Sequence, residues 1–117
     1  NIRFDIATNL VPVSVSGKTL VATQSGGGNG TTLSLRKGTF TLDPGVSNPP
    51  GVGSYTFTRY SPFSAMLVLT FTDATNAGKV MYVLVTFTSK SAGNYSAITF
   101  DPSGDPTDEQ TGRFVLH

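Results

Sequence analysis

The feature that most constrains the fold is an alternation of apolar and polar residues with a period of two, which recurs along most of the chain. Such alternation is typical of strands that bury one face, and no stretch favours a helix. Phe recurs on this background every 13 to 17 residues, mostly flanked by Thr. We therefore predict that each Phe points inward and its Thr neighbours outward. The six positions are Phe40, Phe57, Phe71, Phe87, Phe100 and Phe114.

The spacing of Phe matches one strand plus a short turn and is too short for a solenoid repeat. It predicts an all-β fold: an antiparallel up-and-down meander of about seven to nine strands, closed as a small barrel or packed as a two-sheet sandwich. Loops are predicted at residues 43–53 and 101–110, and a bulge or bend at Gly38. The predicted strands span residues 1–6, 13–24, 31–42, 54–60, 64–72, 79–88, 95–100 and 112–117.

Length and composition indicate one domain of an extracellular type. The 117 residues suffice for a single core, and residues 1–15 are predicted to precede a meander domain at 16–117 as an N-terminal extension. Charged residues make up 13% of the chain, against about 25% on average, and 17 Thr and 12 Ser fill their place. The chain has no Cys, which excludes disulfides, and no apolar run of membrane-helix length, so no membrane insertion is expected.

Three segments carry a resemblance to a known class of module. They are Gly53-Ser-Tyr-Thr-Phe-Thr58 with its continuation to Asp73, residues 82–91, and Gln110-Thr-Gly-Arg-Phe-Val-Leu116. Together with the opening Ser16-Gly-Lys-Thr-Leu20, they resemble Thr-rich β-meander modules of bacterial secreted and cell-surface proteins over residues 16–116. The resemblance implies an extracellular module and carries over no catalytic residue.

The chemistry of the side chains predicts no enzyme and no cofactor. The chain has no Cys nucleophile, its single His is the terminal His117, and Glu109 is its single Glu. Four acids share one predicted loop: Asp101, Asp105, Asp108 and Glu109. We interpret them as a solvated acidic turn, with Ca²⁺ binding as the alternative. Basic and acidic residues number 8 and 7, a balance that gives no reason to expect nucleic acid as a partner.

Two neighbouring predicted strands, 64–72 and 79–88, are apolar on both faces. A strand with one wet face should be apolar on one side only, yet a second apolar set accompanies the inward one. Its members are Met66, Val68, Tyr82 and Leu84. Three alternatives follow: the domain's own chain covers this second face, the face contacts a ligand or another molecule, or it is an exposed patch without a role.

The N-terminal stretch also alternates, with Ile2, Phe4 and Ile6 on one face. The free backbone N–H and C=O groups and the apolar face of an unpaired strand both favour pairing with another strand. The N-terminal stretch can pair with its own sheet, or it can add to the sheet of a neighbouring copy as a donor strand and build a filament.

These observations favour a non-catalytic structural module of a bacterial surface protein or filament, whose partners are further copies or neighbouring domains. A barrel that binds a small apolar ligand is an alternative, which an apolar cavity would support. A carbohydrate-binding or adhesion domain is another, which an exposed row of Tyr would support. The four candidates for such a row are Tyr55, Tyr60, Tyr82 and Tyr95.

Overall fold

A computed structural model describes residues 10–12, 14–24, 30–43 and 51–117. Within these ranges no helix is long and apolar enough to cross a membrane. The described residues form eight strands: β1 (Thr19–Gln24), β2 (Thr31–Leu35), β3 (Thr39–Asp43), β4 (Gly51–Arg59), β5 (Ser64–Phe71), β6 (Val80–Ser89), β7 (Ala92–Phe100) and β8 (Pro106–Leu116).

The eight strands form one closed antiparallel barrel in which every strand pairs with the next and β1 pairs with β8. Leu20 of β1 shows the closure, because it lies opposite Leu33 of β2 on one side and Leu116 of β8 on the other. The prediction of an all-β up-and-down meander is confirmed. Of the two predicted forms, the chain adopts the barrel, since the first and last strands meet.

The inward face of the alternation fills the barrel with apolar side chains. Phe40 and Phe71 pack edge to face with ring centroids 5.1 Å apart, and Phe87 and Phe114 do the same at 5.0 Å. These four are buried, as predicted, while Phe57 is half-buried against the same core. Edge-to-face pairs of this kind add stability beyond the area that they bury.

Phe100 is an exception, and its predicted inward orientation is wrong. The strand β7 directs Tyr95, Ala97 and Thr99 into the barrel, so the next residue faces outward. Phe100 lies there against Tyr82, with ring centroids 5.6 Å apart. Its regular spacing in the sequence therefore does not fix its side of the sheet.

Several strand boundaries differ from the prediction. The predicted strand 31–42 is two strands, β2 and β3, which Gly38 separates in a tight turn at a φ of 76°. The strands β4 and β8 begin at Gly51 and Pro106, inside segments predicted as loops, and β7 begins at Ala92, ahead of its predicted start at residue 95. At Gly53 an added Cβ would collide with the Thr70 carbonyl, so only glycine fits the close approach of the two strands.

One end of the barrel is closed by the segment before β1. The backbone N–H groups of Leu10 and Val11 both donate to the Pro62 carbonyl, at 2.9 and 3.3 Å. Val11 and Val15 are buried in the core, so the core continues into the predicted N-terminal extension. Residues 1–9, with Ile2, Phe4 and Ile6, lie outside the described residues. We call this end the closed end; it also carries the turns at residues 36–38, 60–63 and 90–91. We call the opposite end, where the described residues form the turns at 72–79 and 101–105, the open end.

Candidate functional site

The barrel contains an internal cavity of about 150 Å³. Apolar side chains supply most of its wall, and three polar residues complete it. It is lined by Leu20, Ala22, Thr31, Leu33, Leu42, Leu69, Met81, Val83, Tyr95, Ala97 and Gln110. These residues come from seven of the eight strands, since inward positions of neighbouring strands meet around the barrel axis.

Small side chains account for the cavity. Ala22 and Ala97 occupy inward positions where other strands place Leu, Val or Phe. The Phe pairs fill the space elsewhere in the barrel, so empty volume remains where the small residues lie.

One hydrogen-bonded pair supplies a polar group to the cavity wall. The Tyr95 hydroxyl donates to the side-chain carbonyl oxygen of Gln110 at 3.0 Å. Burial raises the pKa of the Tyr95 phenol above its ordinary value of 10.0, and the nearby negative charge of Asp108 raises it further. The phenol is therefore neutral at physiological pH, and because its O–H donates to Gln110, its oxygen can accept a hydrogen bond from a ligand.

A wider space of about 370 Å³ adjoins the cavity at the open end. Leu42 and Met81 line both spaces, so the cavity lies directly below this mouth. The Lys79 ammonium donates to the Asn76 side-chain oxygen at 3.4 Å, and the Asn76 amide donates to Asp73 at 2.9 Å. The mouth is thus more polar than the cavity below it, an arrangement typical of sites for small molecules.

The second apolar face predicted from the sequence exists on the outside of the barrel. The register pairs Met66 with Leu84 and Val68 with Tyr82, so these four residues lie together. Ile98 extends the surface from β7, opposite Tyr82. Tyr82 and Leu84 are 40% and 39% exposed, and no element among the described residues covers them. We call this surface, with Val80 and Phe100, the outer apolar face.

The four acids of the calcium hypothesis are not brought together. Asp101 and Asp105 lie in the β7–β8 turn, whereas Asp108 and Glu109 belong to β8 and point to opposite faces of it. Asp108 lines the mouth and Glu109 lies outside, opposite Ile98. Among the described residues no group of three or more His, Cys, Asp or Glu could hold a metal ion.

Asp101 instead organises its own turn. Its Oδ1 accepts hydrogen bonds from the Ser103 hydroxyl at 2.6 Å and from the backbone N–H of Asp105 at 2.9 Å. These two bonds, the hydroxyl first, lower the pKa of the Asp101 carboxyl below its ordinary value of 3.8. The interpretation as an acidic turn fits Asp101 and Asp105 and fails for the two residues of β8.

The four Tyr residues do not form one surface. Tyr95 lies inside the barrel, and Tyr55 is half-buried with its hydroxyl donating to the Arg36 carbonyl at 2.7 Å. Tyr60 belongs to the turn at the closed end and Tyr82 to the outer wall. This placement gives no flat row for stacking on a sugar ring.

The outer apolar face was predicted from the sequence residue by residue, whereas the ligand-binding barrel was an alternative to which no cavity-lining residues were assigned. The signal for the cavity was the small inward residues Ala22 and Ala97 together with the polar Gln110 at an inward position of β8. It could be interpreted only with the register, which decides whether small residues on distant strands meet.

Comparisons with known proteins support the fold. No protein-family model and no curated protein sequence matches the chain. Among solved structures, the barrel is similar to the crystal structure of pallilysin from Treponema pallidum, with a TM-score of 0.59 over 88% of this chain and 80% of that chain. The two sequences are 10% identical, so the likeness shows a shared β-barrel fold alone.

Proposed function

We propose that this chain is a non-catalytic extracellular module that binds a small apolar molecule inside its barrel. The observation that carries the proposal is the cavity of about 150 Å³ with a largely apolar wall. An engineered apolar cavity of about this volume in another protein binds benzene or xenon. The Thr- and Ser-rich surface with 13% charged residues supports the extracellular location.

The arrangement of polar groups indicates how a ligand would lie. Its apolar part would occupy the cavity, where Leu33, Leu69 and Val83 supply contact area. A polar end could reach the Tyr95–Gln110 pair or the mouth near Lys79. Such a ligand would enter through the open end, because the segment of Val11 and Val15 fills the closed end.

The test is binding of benzene, followed by chemical-shift changes of the protein amides. Ala97→Leu fills the cavity and should weaken binding at least about tenfold, since it displaces roughly the volume that the ligand needs. Asn94→Leu is the matched control, because it adds the same side chain to the outer face of the same strand. Equal binding by both variants, or no binding to the unaltered chain, would contradict the proposal.

A second candidate is a structural module that associates with copies of itself or with neighbouring surface-protein domains. The outer apolar face supports it, because two of its large side chains, Tyr82 and Leu84, are about 40% exposed. The closed barrel gives less support to donor-strand addition, since each of the eight described strands has a partner on both sides. Association would then use side chains of the outer wall.

Light scattering at micromolar concentration tests this second candidate. Tyr82→Ser with Leu84→Ser should abolish any assembly if the outer apolar face mediates it. Deletion of residues 1–9 in the same assay separates a role of Ile2, Phe4 and Ile6 from that of the face. A chain that stays monomeric in all forms would exclude assembly of either kind.

A further inference from the structure

Charged side chains are segregated between the two ends of the barrel. All six acidic residues that the structure describes lie in the half with the open end: Asp43, Asp73, Asp101, Asp105, Asp108 and Glu109. Five of the basic residues lie at the closed end: Lys18, Arg36, Lys37, Arg59 and Lys90. The net charge is only +1, but negative charges lie mainly toward the open end and positive charges mainly toward the closed end.

The strand order and backbone hydrogen bonds place these five cations around the closed end. The Leu35 N–H donates to the Lys18 carbonyl at 2.9 Å, which holds Lys18 beside the turn of Arg36 and Lys37. The Leu116 N–H donates to the Ser91 carbonyl at 2.7 Å, which holds the turn of Lys90 beside β8. The cations thus form a ring at the rim and not a cluster on one side.

Two exposed aromatic side chains lie within this ring. Tyr60 is 62% exposed and Phe63 is 42% exposed, both in the β4–β5 turn directly after Arg59. The Phe63 carbonyl accepts a hydrogen bond from the Phe87 N–H at 2.6 Å, which ties the turn to β6. The aromatic rings are therefore presented on a turn that the barrel holds in place. We call the five cations with Tyr60 and Phe63 the basic end.

We propose that the basic end docks on an anionic phospholipid surface, so that the open end of the barrel points away from the membrane. Lys and Arg side chains near such a surface are attracted to its lipid phosphates, and aromatic rings prefer the interface between headgroups and acyl chains. The acidic open end does not oppose this contact. The longer strands, such as β6 with 10 residues, separate the two ends by roughly 25 Å, about three times the Debye length of about 8 Å at physiological salt.

A second copy of the chain is the competing occupant, since its acidic open end would complement the cations. The turns that the structure describes at that end, residues 72–79 and 101–105, carry mainly polar side chains, so the exposed rings of Tyr60 and Phe63 would gain less apolar contact there than at a lipid interface. The lipid interface satisfies the charges and the rings together. The aromatic residues therefore decide between the two occupants.

Flotation with phospholipid vesicles tests the proposal. The chain should float with vesicles that contain phosphatidylglycerol and not with pure phosphatidylcholine, and high salt should release it. Lys37→Ala with Lys90→Ala should weaken partitioning about 30-fold, because each cation near an anionic surface contributes about a factor of five. Tyr60→Ser should weaken it further.

The matched control changes the net charge by the same amount at the other end. Ala74→Glu with Ala77→Glu places two acids on the exposed β5–β6 turn and should leave vesicle binding within about twofold, since these sites lie far beyond the Debye length. Circular dichroism verifies that each variant is folded. Equal loss in both double variants, equal binding to neutral vesicles, or no flotation at low salt would overturn the proposal. If the chain self-associates in a salt-sensitive way and does not float with vesicles, the partner of the basic end is a second copy of the chain and not lipid.

Discussion

The Tyr95 hydroxyl donates a hydrogen bond to Gln110 across the β7–β8 pair, inside a barrel whose neighbouring wall is apolar. Tyr95→Phe should lower the free energy of unfolding by about 1 kcal/mol, the usual net worth of such a bond. Urea denaturation measures this loss. Tyr60→Phe removes the same hydroxyl from an exposed ring and should change the stability by less than about 0.5 kcal/mol. Equal effects of the two substitutions would show that the bond with Gln110 contributes nothing.

Phe87→Ala should lower the free energy of unfolding by about 3–5 kcal/mol, because the ring is buried and packs on Phe114. Phe63→Ala makes the same change at a ring that is 42% exposed and should cost less than half as much. Thermal or urea unfolding of both variants provides the comparison. A cost below about 1 kcal/mol for Phe87→Ala would refute the inward packing of this residue.

Gly93→Ala should destabilise the barrel by about 1–3 kcal/mol or more, since the added Cβ would collide with the Thr86 carbonyl and the Phe114 ring. Gly30→Ala is the control, because its Cβ would find ordinary contact at 3.6 Å from the Ala22 carbonyl. The free energies of unfolding in urea distinguish them. A well-tolerated Gly93→Ala would mean that the two strands lie farther apart than described.

Asp101 should titrate below 3.8, because the Ser103 hydroxyl and the Asp105 N–H stabilise its charged form. A lowered carboxyl pKa stabilises the fold above the unfolded pKa of about 3.9, and this stability is lost as the pH falls through the lower, folded value. Carbon NMR of the carboxyl group measures the pKa directly. Ser103→Ala should raise it toward 3.8, whereas Ser96→Ala on the outer wall should not. An unchanged pKa in Ser103→Ala would assign the shift to another cause.

The architecture could be predicted from alternation and turn residues, because each strand and turn is specified by its own local sequence. The buried Phe40, Phe71, Phe87 and Phe114 follow from the alternation of their own strands. Phe100 does not, because its face is set by the phase of Tyr95, Ala97 and Thr99 before it. Pattern alone could not assign that face at the end of the strand.

The candidate sites divide in the same way. The outer apolar face was predictable, since each strand shows its second apolar set by itself. The cavity depends on which small residues line the same space after closure, as Ala22 and Ala97 do. The four acids illustrate the opposite error: proximity in sequence suggested a cluster, and the start of β8 at Pro106 disperses it.

The pairing of β1 with β8 has a consequence for how the chain folds. Hairpins of neighbouring strands close short loops and can form early, but the contact of Leu20 with Leu116 joins residues separated by most of the chain. The conformational entropy lost in that step is the largest in the topology, so this seam should form last and open first. Thr19 and His117 exchange two backbone hydrogen bonds at 3.0 and 2.8 Å on that seam. A circular permutant that begins at the exposed turn of residues 102–104 and keeps the segment of Val11 and Val15 would make this seam local in sequence, so it would acquire a different slowest step.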